Sequence, residues 1–423
     1  LTPYNFSVTQ QKTQPLKLSQ QIRKLARDRH ERVVYLRRHL HRYPELSFKE
    51  ENTARFVAQE LERLGIPHQT GIAGTGVVAV IEGQQPSDRV IALRADMDAL
   101  PIEEANDVPY KSAHPGIMHA CGHDVHTASL LGTAAILQAI RHELPGKVKL
   151  IFQPGEESVP GGASVMIAEG ILEDPAPALI FGQHVHPPLE AGKVGFCSGN
   201  YMASSDELYL TIHGKGGHGA LPNECTDPIA IAAQVISALQ QLISRMNNPL
   251  TPSVLTFGKI NSRGGATNII TDAVDLEGTF RTMDEDWRAK ALERIEKMAK
   301  GIAEGMGGYC ELKIARGYPN LYNHEGLTHT AIENAAEYLG PQHVVALPQR
   351  MSSEDFAFYA QKIPACFYRL GTGNPAKGIR YPVHSNRFDI DESALETATG
   401  LMAWLAYCSL EKTTCKSPEY DPS

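Results

Sequence analysis

The segment Met118-His119-Ala120-Cys121-Gly122-His123-Asp124 puts a thiol and an imidazole on either side of a glycine. Gly122 permits a turn tight enough for thiolate and imidazole to converge on one cation. A helical pattern follows, and a helix N-terminus favours a thiolate and lowers its pKa. Alone, Cys-x-His equally describes a buried cysteine beside a structural histidine. A second segment, Gln153-Pro154-Gly155-Glu156-Glu157-Ser158, closes an apolar run with two carboxylates. Neighbouring side chains at a strand end point in different directions, so one can ligate a metal while the other faces its water; a solvated acidic loop would look the same. Gln183-His184-Val185-His186 ends another apolar run, and one of its histidines is expected to be satisfied by hydrogen bonds alone. Asp96-Met97-Asp98 ends a third. With a period of two its carboxylates share a face, where they can accept from imidazole N–H groups behind a metal or simply make a turn. Cysteine, histidine and carboxylate together suit zinc, manganese, cobalt or nickel better than magnesium or calcium. A bridging ligand would allow two ions about 3.5–4 Å apart.

These segments require a frame that brings strand ends together. VVAVIEG (77–83), VIALRADMDAL (90–100), KVKLIFQ (147–153) and ALIFGQHV (178–185) read as strands. HTASLLGTAAILQAI (126–140) and GASVMIAEGIL (162–172) read as helices between them. The alternation predicts an α/β domain with a mostly parallel central sheet flanked by helices. A helix is expected from about Ser19 to His41, with Ile22, Leu25, Val33, Leu36 and Leu40 on its apolar face and a solvated Arg/Lys face opposite. Residues 1–16 read as a loose arm and 412–423 as a frayed tail.

Between these parts the order changes to β-α-β-β-α-β: strands at 207–214, 254–260, 273–282 and 310–316, helices at 227–246 and 284–306. That is the order of a two-layer α+β, ferredoxin-like module. It carries Gly214-Lys215-Gly216-Gly217-His218-Gly219-Ala220, which lacks a phosphate-loop pattern and more plausibly presents His218 to a ligand. It also holds Asn268 and Arg281, a guanidinium suited either to a carboxylate or to a surface ion pair. Further helices are expected near 326–339, 353–362 and 392–410, with a strand at 365–371.

The chain has 423 residues, 40 Lys and Arg against 48 Asp and Glu, and a net charge of −8. That size calls for more than one core, and that charge disfavours a broad nucleic-acid or anionic-membrane surface. No apolar run is expected to reach the roughly 18 residues of a membrane span. Seven scattered cysteines do not make a disulfide framework. With no signal-peptide pattern, a reducing, cytoplasmic setting is the expectation, although a chain starting at Leu1 leaves room for a removed leader.

Taken together, LRADMDALPI (93–102), MHACGHDVHTASLLG (118–132), FQPGEES (152–158), GQHVHP (182–187), GKGGHGALP (214–222), NIITD (268–272), SEDFAFY (353–359) and HSNRF (384–388) resemble the aminoacylase and carboxypeptidase-G superfamily of two-metal hydrolases. The likeness spans about residues 30 to 410 and is strongest to the branch of hippurate hydrolases, N-acyl-amino-acid amidohydrolases and auxin-conjugate hydrolases. The resemblance implies two divalent ions held by Cys121, His123, Glu157, His184 and His384. It implies Glu156 as general base, His218 as a lid histidine at the substrate carbonyl, Asp98 as the acidic residue behind the metals, and Asn268 and Arg281 near the substrate carboxylate. Asp96 stands where other branches have a histidine ligand, so its role is open. Val125 and Ser158 stand where relatives often have glycine, Thr271 replaces a proline and His186 an aromatic residue. The implied layout is a catalytic domain in two pieces, 17–199 and 315–411, with a lid at 200–314 inserted between them and hinges near 198–205 and 313–320. The implied reaction is hydrolysis of a small N-acyl-amino acid; neither nucleic acid nor membrane is an expected partner, and self-association is compatible with it. A metallo-carboxypeptidase or dipeptidase is the alternative enzyme, and a non-catalytic metal-binding relative the alternative of another class.

Overall fold

The computed structural model describes residues 2–3 and 13–411, with side chains from Leu18 onward within the latter range. The tail at 412–423 and most of the arm lie outside the described residues. Of the arm, Thr2–Pro3 pair with Val345 and Ala346, and the first helix already begins at Thr13.

The chain forms two compact units, one of residues 1–199, 323–348 and 358–423, the other of 200–322 and 349–357. The first is an α/β unit around a nine-stranded sheet. Its centre is parallel: Ala365–Gly373, Ile180–Glu190, Gln85–Asp96 and Pro145–Gln153 lie side by side in that order. The expectation of a mostly parallel sheet fails at the flanks. Gly76–Glu82 runs antiparallel beside Pro145–Gln153, His68–Ile72 runs antiparallel to Gly76–Glu82 at the edge, and Val194–Phe196 runs antiparallel to Ala365–Gly373. The three residues between Ile72 and Gly76 are too few for a crossover, so that pair must be a hairpin.

Helices Thr13–Arg42, His123–Ala139 and Ala394–Glu411 pack together over the sheet. The last two are apolar nearly all round and are buried accordingly. Ile22, Val33, Leu36 and Leu40 are buried as their spacing predicts. The basic face of this helix is not wholly solvated, however: Arg37 and His41 are fully buried. Arg37 donates to Asp124 at 2.8 Å and Asp389 at 2.8 Å, and His41 sits between Asp124 (2.8 Å) and Glu104 (3.1 Å). Charge counting along one helix could not reveal partners supplied from distant segments.

The second unit has four antiparallel strands ordered Ser253–Ser262, Ala273–Thr282, Asp206–His213, Tyr309–Arg316. Burial alternates strictly over Asp206–His213, as for a sheet with one covered face. Pro228–Gln241 and Glu285–Gly305 contribute Ile231, Val235, Leu239, Leu292 and Ile295 to its core. Each helix is capped by an aspartate, Asp227 accepting from Ile229 and Ala230 and Asp284 from Trp287. Against expectation, Pro228–Met246 is long and apolar enough by composition to cross a bilayer; one face of it nonetheless packs into this core.

Candidate active site

The parallel strands deliver their ends to one edge. Asp96 is in register with Gln153 on one side, and Arg94 with Gly182 on the other, so two residues on Asp96 and His184 stand in one row. Helix His123–Ala139 opens at the same edge. Gly122 precedes it at φ 85, and a Cβ there would meet Val185 at 2.6 Å, so the position demands glycine on both counts. His384 arrives from the C-terminal part, also at positive φ (65), with its backbone N–H on the Ala120 carbonyl at 2.8 Å. A non-glycine residue held there is strained, and the strain brings it next to Cys121.

The side chains form overlapping trios. Ligand atoms of Cys121, His123 and His184 lie within 4.8 Å of one another, as do those of Cys121, Glu157 and His384, and of His123, Glu156 and Glu157. Cys121 is common to the first two. Its Sγ is 3.4 Å from His184 Nε2, and His384 Nε2 is 3.2 Å from Glu157 Oε1. His184 Nδ1–H donates to the Val185 carbonyl at 2.8 Å and His123 Nδ1–H to Asp98 at 3.1 Å, which turns both Nε2 atoms to the cluster. His123 Nε2 is buried with no hydrogen-bond partner. Glu156 is buried, with Oε2 4.0 Å from that atom.

Asp98 acts behind this cluster. One oxygen faces His123; the other accepts from Ser47 Oγ at 2.7 Å and Glu157 N at 2.9 Å. Asp96 is held by Arg94 at 2.6 Å and by His126 Nδ1 at 2.6 Å, and His126 Nε2 accepts from Val185 N at 2.9 Å. Asp96 and His126 thus hold the strand that carries His184. Sequence reasoning passed over His126, although it lies one turn after His123, where side chains three apart share a face.

Burial, with Glu157, Glu156 and Asp96 nearby, pushes the Cys121 thiol far above its usual range. This reverses the lowering expected from the helix N-terminus, because desolvation and three carboxylates outweigh a partial dipole charge. Burial works against a charged His123, but Asp96 and Asp98 carry it up to about 10. His184 is driven well below its normal value by burial and by Arg369. A crowd of carboxylates that holds protons on a thiol and an imidazole is short of positive charge. Divalent cations would take the place of those protons, and a donor set of thiolate, imidazole and carboxylate fits them.

The remaining expected residues belong to the second unit. Gly217–His218 pair with Ile269–Ile270, and Gly219 N donates to the Asn268 carbonyl at 2.8 Å, so His218 and Asn268 are neighbours. His218 Nδ1 accepts from Ala220 N at 3.0 Å, which leaves the proton of a neutral ring on Nε2. Asp272, unremarked within NIITD, shapes this loop by accepting from Gly216 N at 2.8 Å. Arg281 is not brought to them. It lies eight residues along Ala273–Thr282 from the end near this loop, roughly 26 Å at strand rise, and donates to the Met351 carbonyl at 3.2 Å.

Residues 92–407 match the model of peptidase family M20/M25/M40. The chain is 40% identical over 387 residues to an N-acetylcysteine deacetylase of Bacillus subtilis, covering 90% of this chain and 98% of that one. It is 38% identical over 377 residues to thermostable carboxypeptidase 1 of Saccharolobus solfataricus, covering 88% and 94%. Among solved structures it resembles the Bacillus subtilis YXEP protein, described as a dinuclear metal binding peptidase, with a TM-score of 0.79, 38% identity and coverage of 91% and 99%.

Proposed function

Because the chain belongs to peptidase family M20/M25/M40, we propose that this hydrolase cleaves the amide bond of N-acyl-amino acids, N-acetyl, benzoyl or aryl-acetyl conjugates, to a carboxylate and a free amino acid. The observation that carries the reading is the meeting of Cys121, His123, Glu157, His184 and His384 with Glu156 buried alongside. The similarity to an N-acetylcysteine deacetylase supports the acyl class.

In this reading Cys121, His123, Glu157, His184 and His384 would hold two divalent ions. When bound, such ions acidify a water and polarise a carbonyl. Glu156 takes the proton of the attacking water as its oxygen bonds to the carbonyl carbon, then delivers it to the nitrogen as the C–N bond breaks. Asp98 fixes the His123 tautomer. The second unit, a ferredoxin-like lid, supplies His218, whose Nε2–H donates to the developing oxyanion. Asn268 is the candidate for the substrate carboxylate, since it neighbours His218; Arg281, about 26 Å along its strand from that loop, is not.

A panel of N-acetyl, benzoyl and indole-acetyl amino acids against dipeptides tests the class. We expect hydrolysis of the acyl conjugates, loss on dialysis against a chelator, and recovery on adding manganese, zinc, cobalt or nickel. Preference for dipeptides would favour the carboxypeptidase reading, which the 38% identity to carboxypeptidase 1 keeps in play. His218→Ala should lower kcat by about 10²–10³, the usual cost of removing an oxyanion donor, at unchanged metal content. Loss of metal instead would place His218 among the ligands.

A further inference from the structure

Glu50 occupies the N-cap position of helix Glu51–Arg63, yet its side chain caps nothing there. Serine, threonine, aspartate or asparagine would serve that position better. The helix start is satisfied by Glu45 instead, which accepts from Asn52 N at 3.2 Å and Thr53 N at 2.8 Å. Glu50 is buried and spends its carboxylate elsewhere. Oε1 accepts from Gly155 N, 105 residues away, at 2.8 Å and from Phe48 N at 2.9 Å; Oε2 accepts from Thr75 Oγ1 at 2.7 Å. Phe48 is held at φ 60, outside the ordinary range for a non-glycine residue. Its ring lies against Gly155, where a Cβ would stand 2.5 Å from it. Ser47, one residue earlier, holds Asp98 at 2.7 Å.

A buried acid at a helix start, with a strained aromatic beside it, is costly unless the contact it makes is needed. That contact fixes the residue immediately before Glu156 and Glu157. We propose that Glu50 is a positioning residue which, with Phe48, sets the 154–157 loop so that the Glu156 carboxylate stands over the scissile bond. The proposal rests on the amidohydrolase reading for its catalytic consequence, but not for the mechanical coupling itself.

Two readouts separate these. Hydrogen exchange of a peptide covering 152–158 reports the loop without any substrate, and steady-state kinetics with an N-acyl-amino acid reports catalysis. Glu50→Ala should speed exchange in that peptide at least tenfold and lower kcat by ten- to a hundredfold, with KM within twofold. Glu50→Gln keeps an oxygen for both N–H donors and can donate to Thr75 Oγ1, so it should restore both readouts to near wild type. Thr75→Val, which removes one donor and should leave the fold intact, is expected to accelerate exchange modestly and lower kcat two- to fivefold. A folded Glu50→Ala with wild-type exchange and kcat would overturn the proposal; so would a Glu50→Gln as impaired as the alanine variant, and, should Glu50→Ala not fold, so would a Thr75→Val indistinguishable from wild type. A wild-type protein inactive on every acyl conjugate would instead sink the function reading, leaving exchange to decide the coupling.

Discussion

Glu156→Gln should retain bound metal and fold while kcat falls by about 10²–10⁴, the range that a positioned general base contributes. The amide fills the same space but cannot accept the water's proton at neutral pH. Its neighbour gives the contrast: Glu157 lies within ligand distance of Cys121 and His384, so Glu157→Gln should lose metal and activity together. Metal analysis beside single-turnover rates separates the two. A Glu156→Gln enzyme with wild-type turnover would remove the assigned base.

The second large effect concerns stability. Arg37→Met should lower the unfolding free energy by about 3–5 kcal/mol, since removing one member of a buried ion pair strands the other. Arg37 and Asp124 are both fully buried, and Arg37 also reaches Asp389. Adding Asp124→Asn should return part of the loss, because the stranded charge then disappears. The pH dependence has a definite sign. Burial would raise the Asp124 carboxyl, but Arg37 and His41 hold it well below the usual carboxylate range. Its stabilisation is therefore complete above about pH 4, its unfolded pKa, and is lost as pH falls below that. Urea midpoints between pH 3 and 7 should show a shallower acid dependence in Arg37→Met than in wild type. Equal slopes and equal midpoints would show that the pair contributes nothing.

The segments around Cys121, Glu156 and His184 were legible because each ends a strand or opens a helix, and local pattern reports such positions. His384 follows no comparable signal. It enters the cluster through a strained backbone and a bond to Ala120, features that only the folded chain displays, and resemblance alone pointed to it. Arg37 was misread as solvent-facing because its acidic partners sit 87 to 355 residues away. Glu50 was invisible for the same reason, as its useful bond spans 105 residues. The sheet's antiparallel flanks were missed for two reasons: Gly76–Glu82 was read as a strand, but its apolar pattern carries no sign of its direction, and Val194–Phe196 is three residues, too short for an alternation to register.

Strand Ala365–Gly373 is inserted between Ile180–Glu190 and Val194–Phe196 rather than added at an edge. During synthesis the earlier strands leave the ribosome first, so their final neighbour in the sheet is still missing when they emerge. His384 lies eleven residues beyond the end of that neighbour at Gly373 and emerges later still, and under the proposed function the cluster is incomplete without it. Under that reading a chain ending before residue 384 lacks one of the five side chains proposed to hold the metal ions.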